Sequence, residues 1–133
     1  MNEKWRVVWR AIAAHLPTEG LVALRTALVE DDPHLIQGQT MFPPNLPSEL
    51  FGRYDVCRAC AVGYPLWKAG ATKTDMLDSA FADACLKACD SLGEQDAARY
   101  FLCFWDETPR EQARREFLPE VELAIEAKQL QAA

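Results

Sequence analysis

Trp5, Val8, Trp9, Ile12 and Leu16 recur at three- and four-residue intervals, a spacing that puts five apolar side chains, two of them tryptophans, on one stripe of an α-helix. The same period returns along the chain. After the break "LPTEG", Thr18 can cap a second helix whose Leu21, Leu24 and Leu28 share a face. In "TKTDMLDSAFADACLKACDSLG" the residues Leu77, Phe81, Ala84, Cys85, Ala88 and Leu92 fall on one side, with Asp75, Ser79, Asp83, Lys87 and Asp90 on the other. Thr72 and Asp75 have the spacing of a capping box there, and Leu92-Gly93 supplies a stop. Ala97, Tyr100, Phe101, Phe104 and Trp105 keep helical phase in the next segment, whose aromatic content predicts a well-buried helix.

Thr108-Pro109-Arg110-Glu111 combines a cap, a first-position proline and a capping-box glutamate, so the last helix is expected to run from Pro109 toward Leu130. Ala113, Phe117, Val121 and Ala124 hold one phase across Pro119, which falls on the opposite, outer side, and this predicts a kinked but continuous helix. "DDPHLIQG" reads as one short helical turn capped by Asp32. Residues 39–48, "QTMFPPNLPS", hold three prolines and form an irregular connection, expected to pack over the core through Met41, Phe42 and Leu46. No stretch alternates as a strand does. The expected fold is all-α, a single-domain bundle of five or six helices over residues 1–133.

Net charge narrows the partners. The chain carries −6, and residues 67–133 alone hold 8 basic and 13 acidic side chains. A phosphate backbone needs a basic stripe, and the densest basic patch, Arg110, Arg114 and Arg115, is interleaved with Glu111 and Glu116 on one predicted helix, so nucleic acid is not an expected partner. No segment is long and apolar enough to cross a bilayer, and "MNEKWRVVWRAIAAHLPTEG" has no export-signal pattern. A soluble protein of a reducing compartment, the cytoplasm, is expected, with its five cysteines free.

Those cysteines carry the one motif that points at a chemistry. In "DVCRACAVGYPLW", Cys57 and Cys60 form a CxxC; if Asp55 caps a helix there, Cys57 sits in its first turn, where unpaired N–H groups favour a thiolate. A CxxC at the start of a helix in an all-α protein resembles the alkyl hydroperoxidase D-like family of small thiol peroxidases. That family's motif continues with a histidine four residues after the second cysteine, where this chain has Tyr64. A tyrosine, with a pKa near 10, cannot shuttle the proton near neutral pH. The resemblance implies a thiol-disulfide or peroxide-reducing enzyme using Cys57 and Cys60 as one alternative.

A second alternative is structural zinc held by Cys57, Cys60, Cys85 and Cys89, four thiolates in a spacing not typical of zinc sites. The preferred reading is packing. Cys57, Cys60, Ala61 and Tyr64 fall at i, i+3, i+4 and i+7 on one apolar helical stripe, Cys85 lies near the middle of its stripe with Cys89 at the half-exposed edge, and Cys103 sits among aromatic core positions. "EDDPH", Glu30 to His34, can hold a cation but is also an ordinary junction, and Glu116, Glu120, Glu122 and Glu126 lack the E-x-x-H partner of a carboxylate-metal bundle. No nucleotide cradle or hydrolase motif occurs, and no cofactor is expected. The reading that remains is a small helical interaction or adaptor module without catalysis, binding another protein or a second copy of itself.

Overall fold

A computed structural model describes residues 3–43 and 54–132. Six α-helices form most of it: α1 (Lys4–Ala13), α2 (Thr18–Glu30), α3 (Gly63–Lys68), α4 (Thr74–Leu92), α5 (Ala98–Glu107) and α6 (Arg110–Ala132). The fold is mostly helical, and among the described residues its only sheet is two short antiparallel strands, β1 (Met41–Phe42) and β2 (Arg58–Ala59), with Met41 opposite Ala59 and Phe42 opposite Arg58.

The α1 stripe is buried as its period requires: Trp5, Val8, Trp9, Ile12 and Leu16 all face one hydrophobic core. This helix packs against α4, α5 and α6, while α2 packs against α3 and α6. The aromatics of α5 and α6 complete the centre. Trp9 lies against Phe101 and Phe117 with ring centroids 5.0 and 4.6 Å apart. Each fully buried tryptophan satisfies its indole N–H on a backbone carbonyl, Trp9 on Glu120 at 3.3 Å and Trp105 on Ile36 at 2.8 Å. Pro119 stands exposed within an unbroken α6, and Ala113, Phe117 and Val121 stay buried on either side of it.

Glu120, also on α6, is 5 % exposed, and it is matched from α1: Arg10 forks onto both its carboxylate oxygens at 3.0 and 3.2 Å, and Arg6 reaches one at 3.4 Å. A buried carboxylate needs such partners.

Gly20 marks the closest approach of two elements. A Cβ there would lie 2.1 Å from the carbonyl oxygen of Pro65, so α3 rests directly on the backbone of α2.

Several expectations change. The stretch from Asp32 to Gly38 keeps only its first turn: the Asp32 carboxylate accepts from the His34 backbone N–H at 2.9 Å and the Leu35 N–H reaches the Asp32 carbonyl at 3.1 Å, after which Leu35 pairs with Ala59 in a parallel bridge. Helix α4 starts at Thr74 rather than from a Thr72 cap, because the preceding residues are held by strand-like pairing, with Asp55 bridged to Lys73 and the Thr74 N–H bonded to the Tyr54 carbonyl. Its C-terminus is the expected one, Gly93 at φ 67° with the Glu94 N–H returning to the Cys89 carbonyl. Within the proline-rich connection Met41 is buried and Phe42 exposed; both lie in β1, and Leu46 lies outside the described residues.

Candidate functional site

The CxxC sequence does not open a helix. Arg58 and Ala59 are strand β2, and helix α3 begins only at Gly63, because residues 34–42 supply hydrogen-bond partners that local periodicity cannot register: the Ala59 N–H donates to His34, Cys60 to Thr40 and Cys57 to Phe42. Cys57 and Cys60 therefore have unlike surroundings. Cys57 is exposed, away from any helix N-terminus, and its thiol donates to the Phe42 carbonyl at 3.2 Å. Cys60 is 3 % exposed, its sulfur accepts from the Gly63 N–H at 3.4 Å, and burial pushes its thiol up to about 11.

On α4 the order is the reverse of the expected one. Cys89 is buried and Cys85 half-buried, its thiol pushed up to about 12 by burial, with Cys60 and Cys89 nearby adding to the shift. Helices α1 and α3 both pack on α4. Cys103 is exposed rather than in the core, since Phe101 and Trp105 turn inward and leave the position between them outward. Among the described residues no group of three or more His, Cys, Asp and Glu side chains is arranged to hold a metal ion.

Tyr64, the residue standing where the resembling thiol family has histidine, turns to a carboxylate. Its hydroxyl donates to Asp32 Oδ2 at 2.7 Å, while Asp32 Oδ1 lies 2.7 Å from His34 Nδ1. Burial raises the Asp32 carboxyl, but the bonds from the His34 amide, the Tyr64 hydroxyl and the His34 ring outweigh it and hold the group down at about 2. Burial and the same carboxylate push the Tyr64 hydroxyl well above its ordinary range. This trio pins the loop after α2 to helix α3. Asp31 continues the tether on the other side, accepting from Arg110 at 2.7 Å.

Elsewhere among the described residues lies a groove of about 630 Å³, between the start of α1, the outer side of α5 and the first turns of α6. Trp5, Tyr100 and Phe104 supply its aromatic surface, Cys103 its thiol, and Glu107 and Glu116 its carboxylates. Tyr100 and Phe104 reach it from the flank of the face that carries Phe101 and Trp105, half-buried and packed against the core, so one aromatic-rich helix serves both the core and the groove. Sequence reasoning passed over this site by assigning every α5 aromatic to the interior. The aromatics at positions 100, 101, 104 and 105 span an arc of about 140°, which one buried face can hold, so the α5 sequence alone carries no signal for the groove. A second groove of about 360 Å³ lies between the ends of α1 and α6, but its cations are committed, Arg10 to Glu120 and Lys128 to the Ala14 carbonyl at 3.0 Å.

No helix among the described residues is long and apolar enough to cross a membrane. No known protein family, curated protein or solved structure matches the chain.

Proposed function

We propose that this protein is a single-domain helical interaction module that holds a segment of another protein in the α1/α5/α6 groove and has no catalysis of its own. The observation that carries this reading is the groove itself: aromatic surface with polar side chains along its edge, the composition that peptide-binding clefts use for an anchor and its orientation. The thiol alternative has weaker support, because the two sulfurs of the CxxC differ in access and Tyr64 is bonded to Asp32. Five free cysteines, two of them exposed, fit a reducing compartment, and we assign the protein to the cytoplasm on that ground.

Selection of a displayed random-peptide library on the folded protein tests the reading. The enriched peptides should shift backbone amide resonances of residues 99–108 and 112–116 above all others. Failure to enrich any peptide, or shifts centred on another face, would sink it. Thiol chemistry has a separate mark: peroxide should leave Cys57 and Cys60 unpaired, and a dithiothreitol-reversible disulfide between them, formed with the fold intact, would replace the proposal with an enzyme.

A further inference from the structure

Resting on the groove reading, we infer that the bound segment presents a basic side chain beside an apolar or aromatic anchor. Trp5 carries the Arg6 guanidinium at 4.4 Å, and Tyr100 carries the Lys4 ammonium at 4.3 Å and the Arg99 guanidinium at 5.2 Å. Phe104 holds none among the described residues. Trp5 covers one of its faces in a parallel stack at 3.7 Å, so the ring gives the groove its other face or its edge. An aromatic face in a partly dried cleft attracts a cation, and more so when a carboxylate is near.

Two carboxylates are near. Glu107 follows Phe104 by three residues, which sets the two side chains as neighbours on one helix face. It has no hydrogen-bond or ion-pair partner among the described residues. Glu116 accepts from Gln112 at 2.9 Å through one oxygen and keeps the other for a ligand. Arg99 is the one basic residue of the groove lining, and its guanidinium lies over the Tyr100 ring. Lys4 is paired with Glu94, and Arg6 with Glu3 and Glu120, so the lining itself sets two glutamates against Arg99 alone, and with a net charge of −6 on the chain this favours a basic occupant both in encounter and in register. A lysine or arginine can lay its aliphatic stem along Phe104 and its charge between the two glutamates, while a neighbouring apolar side chain fills the rest of the groove.

Cys103 provides the readout, because its exposed thiol lines the groove, whereas Cys57, also exposed, does not. Peptides enriched from the random library should contain lysine or arginine next to a leucine or aromatic residue. Added to the folded protein, they should slow iodoacetamide alkylation of Cys103 about tenfold or more and leave Cys57 unchanged; replacing their basic residues by glutamate should abolish the protection. The double variant Glu107→Gln, Glu116→Gln should weaken binding about tenfold and flatten its dependence on salt. Equal protection by the basic peptides and their glutamate counterparts would overturn the basic partner while leaving the groove reading in place. Protection of Cys103 by no enriched peptide would overturn both. If Cys103 becomes protected merely as protein concentration rises, with no peptide present, a second copy of the chain fills the groove and the inference fails.

Discussion

At the junction of α1, α5 and α6 the chain is held by side chains, whereas around Leu35, Ala59 and Tyr64 it is held largely by its own backbone. In the first region Trp5, Trp9, Phe101 and Phe117 interlock with ring centroids between 4.6 and 6.4 Å, and no backbone–backbone hydrogen bond among the described residues links the helices carrying them. In the second, backbone bonds cross between segments far apart in sequence: Ile36 to Ala59 at 2.9 Å, Cys60 to Thr40 at 2.8 Å, Val56 to Thr72 at 2.9 Å. The lesson is about where tolerance lies. A face built on shape suffers when a side chain shrinks, and a face built on backbone pairing suffers when a side chain intrudes or a tether loses its charge.

Phe117→Ala should have the largest effect, about 3 to 5 kcal/mol lost in a urea melt, because four aromatic neighbours surround a fully buried ring. A loss below about 1 kcal/mol would mean that the aromatic junction can collapse around the gap and is not held by shape. Gly20→Ala comes next. The new methyl would be driven into the Pro65 carbonyl, and overpacking against backbone should cost about 2 to 3 kcal/mol even though alanine is the better helix former. A stabilised variant would show that α2 and α3 can separate freely and that the contact does not constrain the loop face.

The Asp32 tether makes a pH prediction. Its carboxyl titrates at about 2 in the folded chain and near 4 when unfolded, so its stabilisation is complete above about pH 4 and disappears as pH falls through 2. Asp32→Asn should therefore cost about 2 kcal/mol at pH 6, with a shrinking difference from the parent on acidification. A constant difference between pH 6 and pH 2 would remove the carboxylate from the account of the loop face. Smallest is Arg10→Ala, about 1 kcal/mol by the same melt, since Arg6 still serves the Glu120 carboxylate and Arg10 itself is solvent-accessible. A loss above about 3 kcal/mol would make the α1/α6 contact as much an ion-pair contact as a packing one.

The same contrast decides what could be read in the residues alone. Trp5, Trp9, Phe101, Phe117 and Val121 are legible because a helix that packs through one stripe writes its period into the sequence, and α6 runs past Pro119 because the proline falls outside that stripe. Cys57, Cys60, Ala61 and Tyr64 have the same spacing, yet only the last three are buried, and they do not share one helix: Cys60 and Ala61 precede α3 and only Tyr64 lies within it. Strands of two residues are too short to alternate, and their partners lie in residues 34–42, invisible to any local window. The groove was hidden for a related reason: Tyr100 and Phe104 are apolar enough to look interior, and only the positions of α1 and α6 reveal that their side is partly open.

Glu120 and its arginines have one more consequence, for the order in which the chain can be assembled. Arg6 and Arg10 leave the ribosome more than a hundred residues before the carboxylate that joins them, and Trp9 must wait as long for Phe117. Until α4, α5 and α6 emerge, the apolar stripe of α1 lacks the helices that cover it, so the nascent protein exposes two tryptophans that the finished one hides. Completion of the interior is thus deferred to the emergence of the last helix, and a ribosome stalled before residue 117 would display a sticky helix to whatever holdase stands at the tunnel exit.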